Sequence, residues 1–133
     1  MKSTVLVVDD EPDTLDSMAD FLTLKGYATH KADCLKAAQE VLDVRQIDAV
    51  LLDMNLPDGN GLDWIRILRE QQPHLAIIVI TGVGDIPTAV EAMRRGADQF
   101  LAKPVNTDGL LVFLNRSLEV EHLRQRDSMR RRL

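Results

Sequence analysis

Apolar residues in this chain occur either as short unbroken runs or at helical spacing, and the two kinds of segment alternate. Val5-Leu6-Val7-Val8, Ala49-Val50-Leu51-Leu52, Ile77-Ile78-Val79-Ile80 and Phe100-Leu101-Ala102 are the runs. Each is too short for a buried helix and most are rich in β-branched residues, so each reads as a strand. Between them, stripes such as Leu15, Met18, Ala19 and Leu22 recur at the three-to-four spacing of a helix with one inward face. The pattern predicts strands near 4–8, 27–31, 48–53, 76–81 and 98–102. Helices are expected near 12–25, 35–44, 61–71, 86–95 and from 107 onward. Pro12 in an opening turn, Gly26 past the last turn of that helix, and Gly96 past the fourth mark helix ends. Strand and helix in strict alternation imply an α/β fold, a parallel sheet with helices on both faces, and right-handed crossovers make it doubly wound. Strands 1, 3 and 4 are apolar throughout and belong in the centre, whereas Tyr27-Ala28-Thr29-His30-Lys31 is mixed and belongs near an edge. Trp64 and Leu68, one turn apart, should pack on the sheet.

The residues that end these runs carry the chemistry. The first delivers Asp9, Asp10 and Glu11, the second Asp53, the third Thr81 and the fourth Lys103-Pro104. In a doubly wound sheet, ligands sit outside the carboxyl ends of the strands where strand order reverses, so these side chains are expected to converge. Clustered carboxylates repel one another and ionise together only around a cation. An all-oxygen donor set suits Mg²⁺, with Mn²⁺ able to replace it. Asp10 and one oxygen of Asp53 are expected to bind the metal directly, Asp9 through water, with the Asn55 backbone carbonyl completing the protein's share. Asp53 is then the candidate nucleophile, able to form an acyl phosphate once phosphoryl charge is neutralised. Lys103 supplies a point charge and Thr81 a hydroxyl donor, while Gly82 leaves room for the incoming group. Lys103-Pro104 is a candidate cis peptide, and Leu56-Pro57-Asp58-Gly59-Asn60-Gly61 is turn chemistry.

Composition narrows the setting. With 133 residues and 45% apolar content, one domain with a real core is expected. One cysteine, Cys34, permits no intramolecular disulfide and points to a reducing, cytoplasmic compartment; it opens a helix and is expected to be inert. His30, His74 and His122 share no spacing, which argues against a histidine-based site. No apolar stretch approaches the ~20 residues that span a bilayer. Net charge is −5, yet residues 116–133 carry +3 through Arg116, Arg124, Arg126, Arg130, Arg131 and Arg132, leaving −8 on the rest. Without an aromatic residue in that tail, a solvated helix leading to a further segment is preferred over direct nucleic-acid contact.

Val7-Val8-Asp9-Asp10-Glu11, Leu51-Leu52-Asp53-Met54-Asn55-Leu56-Pro57, Ile80-Thr81-Gly82 and Ala102-Lys103-Pro104, in that order at domain spacing, resemble a receiver domain of a two-component response regulator. The resemblance covers residues 3 to about 118 and implies a flavodoxin-like (βα)5 fold; the strand order 2-1-3-4-5 is taken from the resemblance. It implies a sensor histidine kinase as phosphoryl donor, self-catalysed transfer to Asp53, and slow hydrolysis of the acyl phosphate. The switch would run through Thr81 and Phe100, where the family often has Tyr, and would alter the face of helix 4, strand 5 and helix 5. Thr81 through Met93 is similar to receivers preceding sigma-54-dependent AAA+ transcription activators, a stretch also found before helix-turn-helix outputs. The reading is therefore a receiver over 1–118 with residues 119–133 extending the last helix toward an AAA+ or helix-turn-helix output domain. A homodimer would form through the helix 4–strand 5–helix 5 face or the C-terminal helix, where Leu111, Leu114 and Leu118 make a heptad-like seam that runs into polar Glu121 and Gln125. The alternative is a small Mg²⁺-dependent phosphatase of the haloacid-dehalogenase type, which would need an acid where Asn55 stands. A flavin or nucleotide binder lacks its Gly-rich loop after strand 1, and the intact acidic set argues against a receiver that works without phosphorylation.

Overall fold

Aliphatic runs that must bury both faces become the middle of a sheet. The computed structural model describes residues 2–82 and 85–132, with side chains as far as Asp127. Five strands, β1 (Thr4–Val8), β2 (Ala28–Ala32), β3 (Ala49–Asp53), β4 (Ala76–Thr81) and β5 (Gln99–Ala102), alternate with α1 (Pro12–Leu24), α2 (Leu35–Val44), α3 (Gly61–Gln71), α4 (Ile86–Arg95) and α5 (Thr107–Arg132). All pairings are parallel and the order is β2-β1-β3-β4-β5, so the mixed strand lies at an edge as its composition requires. β2 begins one residue later than the apolar pattern suggests. Tyr27 instead packs at the rim of the core and its hydroxyl donates to the Asn115 side chain of α5.

The strand period of two sorts the core into two layers. Leu6, Val8, Val50, Leu52, Ile77 and Val79 face α2, α3 and α4, where Leu42, Trp64, Ile65 and Leu68 meet them. Val5, Val7, Leu51, Ile78 and Ile80 face α1 and α5, against Leu15, Leu22, Leu110, Leu114 and Leu118. Each such aliphatic burial stabilises by about 1.5–3 kcal/mol against a net folding stability of roughly 5–15 kcal/mol. Trp64 is buried as expected and its indole N–H donates to Gln39 Oε1 at 3.0 Å. Gly26 (φ +97°) and Gly96 (φ +121°) end α1 and α4 in backbone conformations that favour glycine.

The seam of α5 is a correction to the sequence reading. Leu114 and Leu118 are buried against the chain's own sheet, with Leu111 packed beside them, so these leucines are not free to zip a second helix. The polar residue that follows them in the stripe, Glu121, is also buried. Its partner is Arg69 at the end of α3 (Nη1 to Oε2, 3.3 Å), whose guanidinium also donates to Gly96 O (2.7 Å), Pro73 O (2.9 Å) and Leu75 O (2.7 Å) and pairs with Asp98 (3.1 Å). With Gln72 O at 3.5 Å, two carboxylates and four carbonyls from the α3–β4 connection, the α4–β5 connection and α5 thus share one cation. The side chains of Arg130, Arg131 and Arg132, and residues Val83 and Gly84 of the Thr81–Met93 stretch, lie outside the described residues.

Candidate functional site

Because β1 and β3 are neighbours while the chain leaves β1 first for β2, strand order reverses between them, and their carboxyl ends open a crevice. Asp53 ends β3 and is 1% exposed; Asp9 follows β1 and is buried, with Asp10 exposed beside it. One oxygen from each of Asp9, Asp10 and Asp53 lies within 4.8 Å of the others, a spacing that could hold a metal ion. Among the described residues no other set of acidic, histidine or cysteine side chains gathers this closely.

Hydrogen bonds hold the two buried carboxylates. Asp53 Oδ1 accepts from Asn55 N at 2.9 Å, and Oδ2 accepts from Lys103 Nζ at 2.6 Å. Asp9 Oδ1 accepts from Glu11 N at 2.9 Å. Lys103 is placed beside the end of β4, its own N–H donating to Thr81 O at 2.8 Å, and the Lys103–Pro104 peptide is cis. Thr81 is buried at the end of β4, one residue beyond Ile80, which pairs with Asp53 across the ladder. Beside it, a Cβ added at Gly82 would meet nothing within 4 Å, so there is open space where a phosphoryl group is expected. Phe100 pairs with Val79 on β5 and is 37% exposed, turned out to solvent. A groove of about 430 Å³ runs from the crevice along α1 to the β5–α5 connection, past Thr14, Met18, Phe21, Pro104 and Val105.

The electrostatics carry a signature of an acidic cluster. Burial raises the Asp9 carboxyl above its ordinary value, and the neighbouring Asp53 charge adds to this, while the Glu11 N–H and Lys103 oppose it. The hydrogen bond to Asp53 raises Lys103. A carboxyl whose folded pKa is raised holds its proton more tightly folded than unfolded, so stability falls as pH rises from 3.8 through the folded value. In EDTA, the Asp9→Asn variant should therefore gain stability over the unmodified chain at neutral pH, the difference vanishing as pH drops toward 4. Urea midpoints across pH 4–8 would show it; parallel curves would mean that Asp9 is not strained.

Every sequence-predicted site residue except outward-facing Phe100 is brought to the crevice or its rim. Two functional contacts were missed. Asp58, read only as turn chemistry, accepts from Leu35 N (2.9 Å) and Lys36 N (3.0 Å) at the start of α2. Glu121 was read as the polar end of a seam; its place in the stripe after Leu114 and Leu118 was the available signal.

Comparison with known proteins points the same way as the geometry. Residues 5–115 match the family described as Response regulator receiver domain. The Nitrogen assimilation regulatory protein NtrX of Azorhizobium caulinodans is 35% identical over 127 residues, covering 94% of this chain and 28% of that protein. The crystal structure of NtrX from Brucella abortus in complex with ADP superposes with a TM-score of 0.91 at 36% identity, over 96% of this chain and 30% of that one. The isolated receiver domain of Brucella abortus NtrX gives 0.82 at 38% identity, over 86% and 98%. The chain thus spans under a third of the full-length relatives. The likeness to receivers of sigma-54-dependent activators is borne out by such relatives, which also include DctD of Pseudomonas aeruginosa. With the strand order, the crevice and these matches in agreement, the chain belongs to the receiver domains of two-component response regulators.

Proposed function

We propose that Asp53 is the phosphoacceptor of this receiver and that its phosphorylation controls an output, with transcription the favoured readout. The observation that carries this is the pairing of Asp53 with Lys103 at 2.6 Å inside a cluster of three carboxylates. Asp10 and one Asp53 oxygen would hold Mg²⁺ or Mn²⁺ directly, Asp9 through water, and the Asn55 carbonyl would complete the set. When bound, the cation neutralises charge on the transferring phosphoryl oxygens. An Asp53 carboxylate oxygen attacks phosphorus, the N–P bond of a histidine kinase's phosphohistidine breaks, and the imidazole leaves with the bonding pair. Lys103 stabilises the transferred group, and Thr81 donates its hydroxyl to a phosphoryl oxygen. The groove along α1, lined by Asp9 and Lys103 at its crevice end, would give a donor protein an approach to the acidic cluster. The domain catalyses only its own phosphorylation and dephosphorylation.

Thr81 and Phe100 form the proposed switch. Movement of Thr81 toward the phosphoryl group frees space for the solvent-facing Phe100 ring to turn in, biasing the α4–β5–α5 face between two states. Ile86, Val90, Met93 and Phe100 are exposed on that face and suit a homodimer or an output domain. Residues 1–118 are the receiver and 119–133 the helical extension toward an AAA+ or helix-turn-helix output, with Glu121 tying its first turn to the body. The proposed setting is the cytoplasm, where a sensor histidine kinase's phosphohistidine would be met; among the described residues no helix is long and apolar enough to cross a membrane. Incubation with acetyl phosphate should add one phosphoryl group in Mg²⁺ and none in EDTA, read by intact mass. No gain in either condition would overturn the proposal.

A further inference from the structure

Helix α2 leaves its first N–H groups to a residue on a different element. Its own N-cap, Cys34, takes only the Ala37 N–H through Sγ at 3.4 Å. The Leu35 and Lys36 N–H groups donate instead to the two oxygens of Asp58, 23 and 22 residues away in the β3–α3 loop. Gly59 sits so close that an added Cβ would lie 2.9 Å from Leu35 Cδ1, and Leu56 packs with Leu35 against the core under α2 and α3. At its other end the same loop is tied where Met54 N donates to Ile80 O (3.1 Å) and Asn55 N to Asp53 Oδ1. Between these anchors, residues 55–59 belong to no strand, Pro57 and Asp58 form a turn, and Asn55 is exposed. The segment carrying the Asn55 carbonyl is therefore held at its far end by a side chain rather than by the sheet.

We propose that Asp58 is a positioning residue for the cation site: by capping α2 across the loop it holds the Asn55 carbonyl where the metal needs it. This rests on the cation reading given above. A carbonyl on a tethered loop binds without first being ordered, whereas on a loose loop that ordering opposes binding. Supporting groups around metal ligands commonly change affinity by about 10–100-fold, and a contact three residues from the ligand should fall near the low end.

The test is Mg²⁺ titration calorimetry on the full chain with Asp58→Ala and Asp58→Asn, alongside thermal unfolding in EDTA. Both variants remove the same charge, but only Asn keeps an acceptor for one of the two N–H groups. Positioning predicts that Asp58→Ala weakens Mg²⁺ about tenfold and Asp58→Asn about threefold. Equal weakening in both would reduce Asp58 to a long-range charge, and unchanged affinity with a lowered melting temperature would reduce it to a cap; either overturns the proposal. An unmodified chain that binds no Mg²⁺ would instead overturn the cation reading on which it stands.

Discussion

Asp53→Asn is expected to abolish phosphorylation by acetyl phosphate entirely while leaving the fold intact. The amide matches the carboxylate in size, which matters at a position 1% exposed, and its single oxygen can still accept from one of the two donors, Asn55 N or Lys103, that the carboxylate takes on separate oxygens. It has no anionic oxygen to attack phosphorus, and of the three clustered carboxylates only Asp53 is paired with Lys103. The same substitution removes a negative charge that helps raise Asp9, so stability should depend less on pH in EDTA. Intact mass settles the first point and urea titration the second. Stoichiometric labelling of the variant would remove Asp53 from the reaction, whereas loss of labelling together with loss of folding would be seen in the melting curve.

Arg69→Leu should be the most destabilising single change at the opposite end of the sheet. Its side chain is 22% exposed, and truncation would take their shared cation from Glu121 (3%) and Asp98 (14%), leaving Glu121 only the more exposed Arg124 at 3.4 Å and Asp98 the Ile77 N–H at 2.7 Å. Glu121 already sits above its ordinary pKa because of burial, with Asp98 adding to the effect and Arg69 opposing it. Breaking a buried pair by removing one partner costs about 3–5 kcal/mol, and the carbonyls of Gly96, Pro73 and Leu75 would also lose a donor. Against a net stability of roughly 5–15 kcal/mol this is a large fraction, and the melting temperature should fall by about 10–20 °C. Adding Glu121→Gln should recover part of the loss. A fall below about 1 kcal/mol in chemical denaturation would show that solvent replaces the guanidinium without difficulty.

Asp9, Asp53 and Lys103 were legible as one candidate site because each stands at the end of an apolar run, and strand ends are where an α/β sheet places its ligands. The contact between Lys103 and Asp53 spans 50 positions, yet fold class alone implies it. Asp58 was not legible in its capping role, because Pro57-Asp58-Gly59 already explains itself as a turn and nothing local names a helix start 22 residues earlier. The leucine stripe of α5 was legible as a stripe but not in its partner. Heptad spacing and the inward face of a sheet-packed helix both demand recurrence at three and four positions.

Local periodicity and turn chemistry, which act over a few residues, were thus sufficient by themselves for the ten elements, the central and edge strands, and the residues at each strand end. Tertiary structure alone decided that Leu111, Leu114 and Leu118 close the core, that Phe100 faces solvent, and that Arg69 joins Glu121 across 52 positions. The reason is physical. A buried charge or an unsatisfied N–H accepts whichever partner the packed chain brings within about 3 Å, and that choice is made only after the sheet and helices have come together.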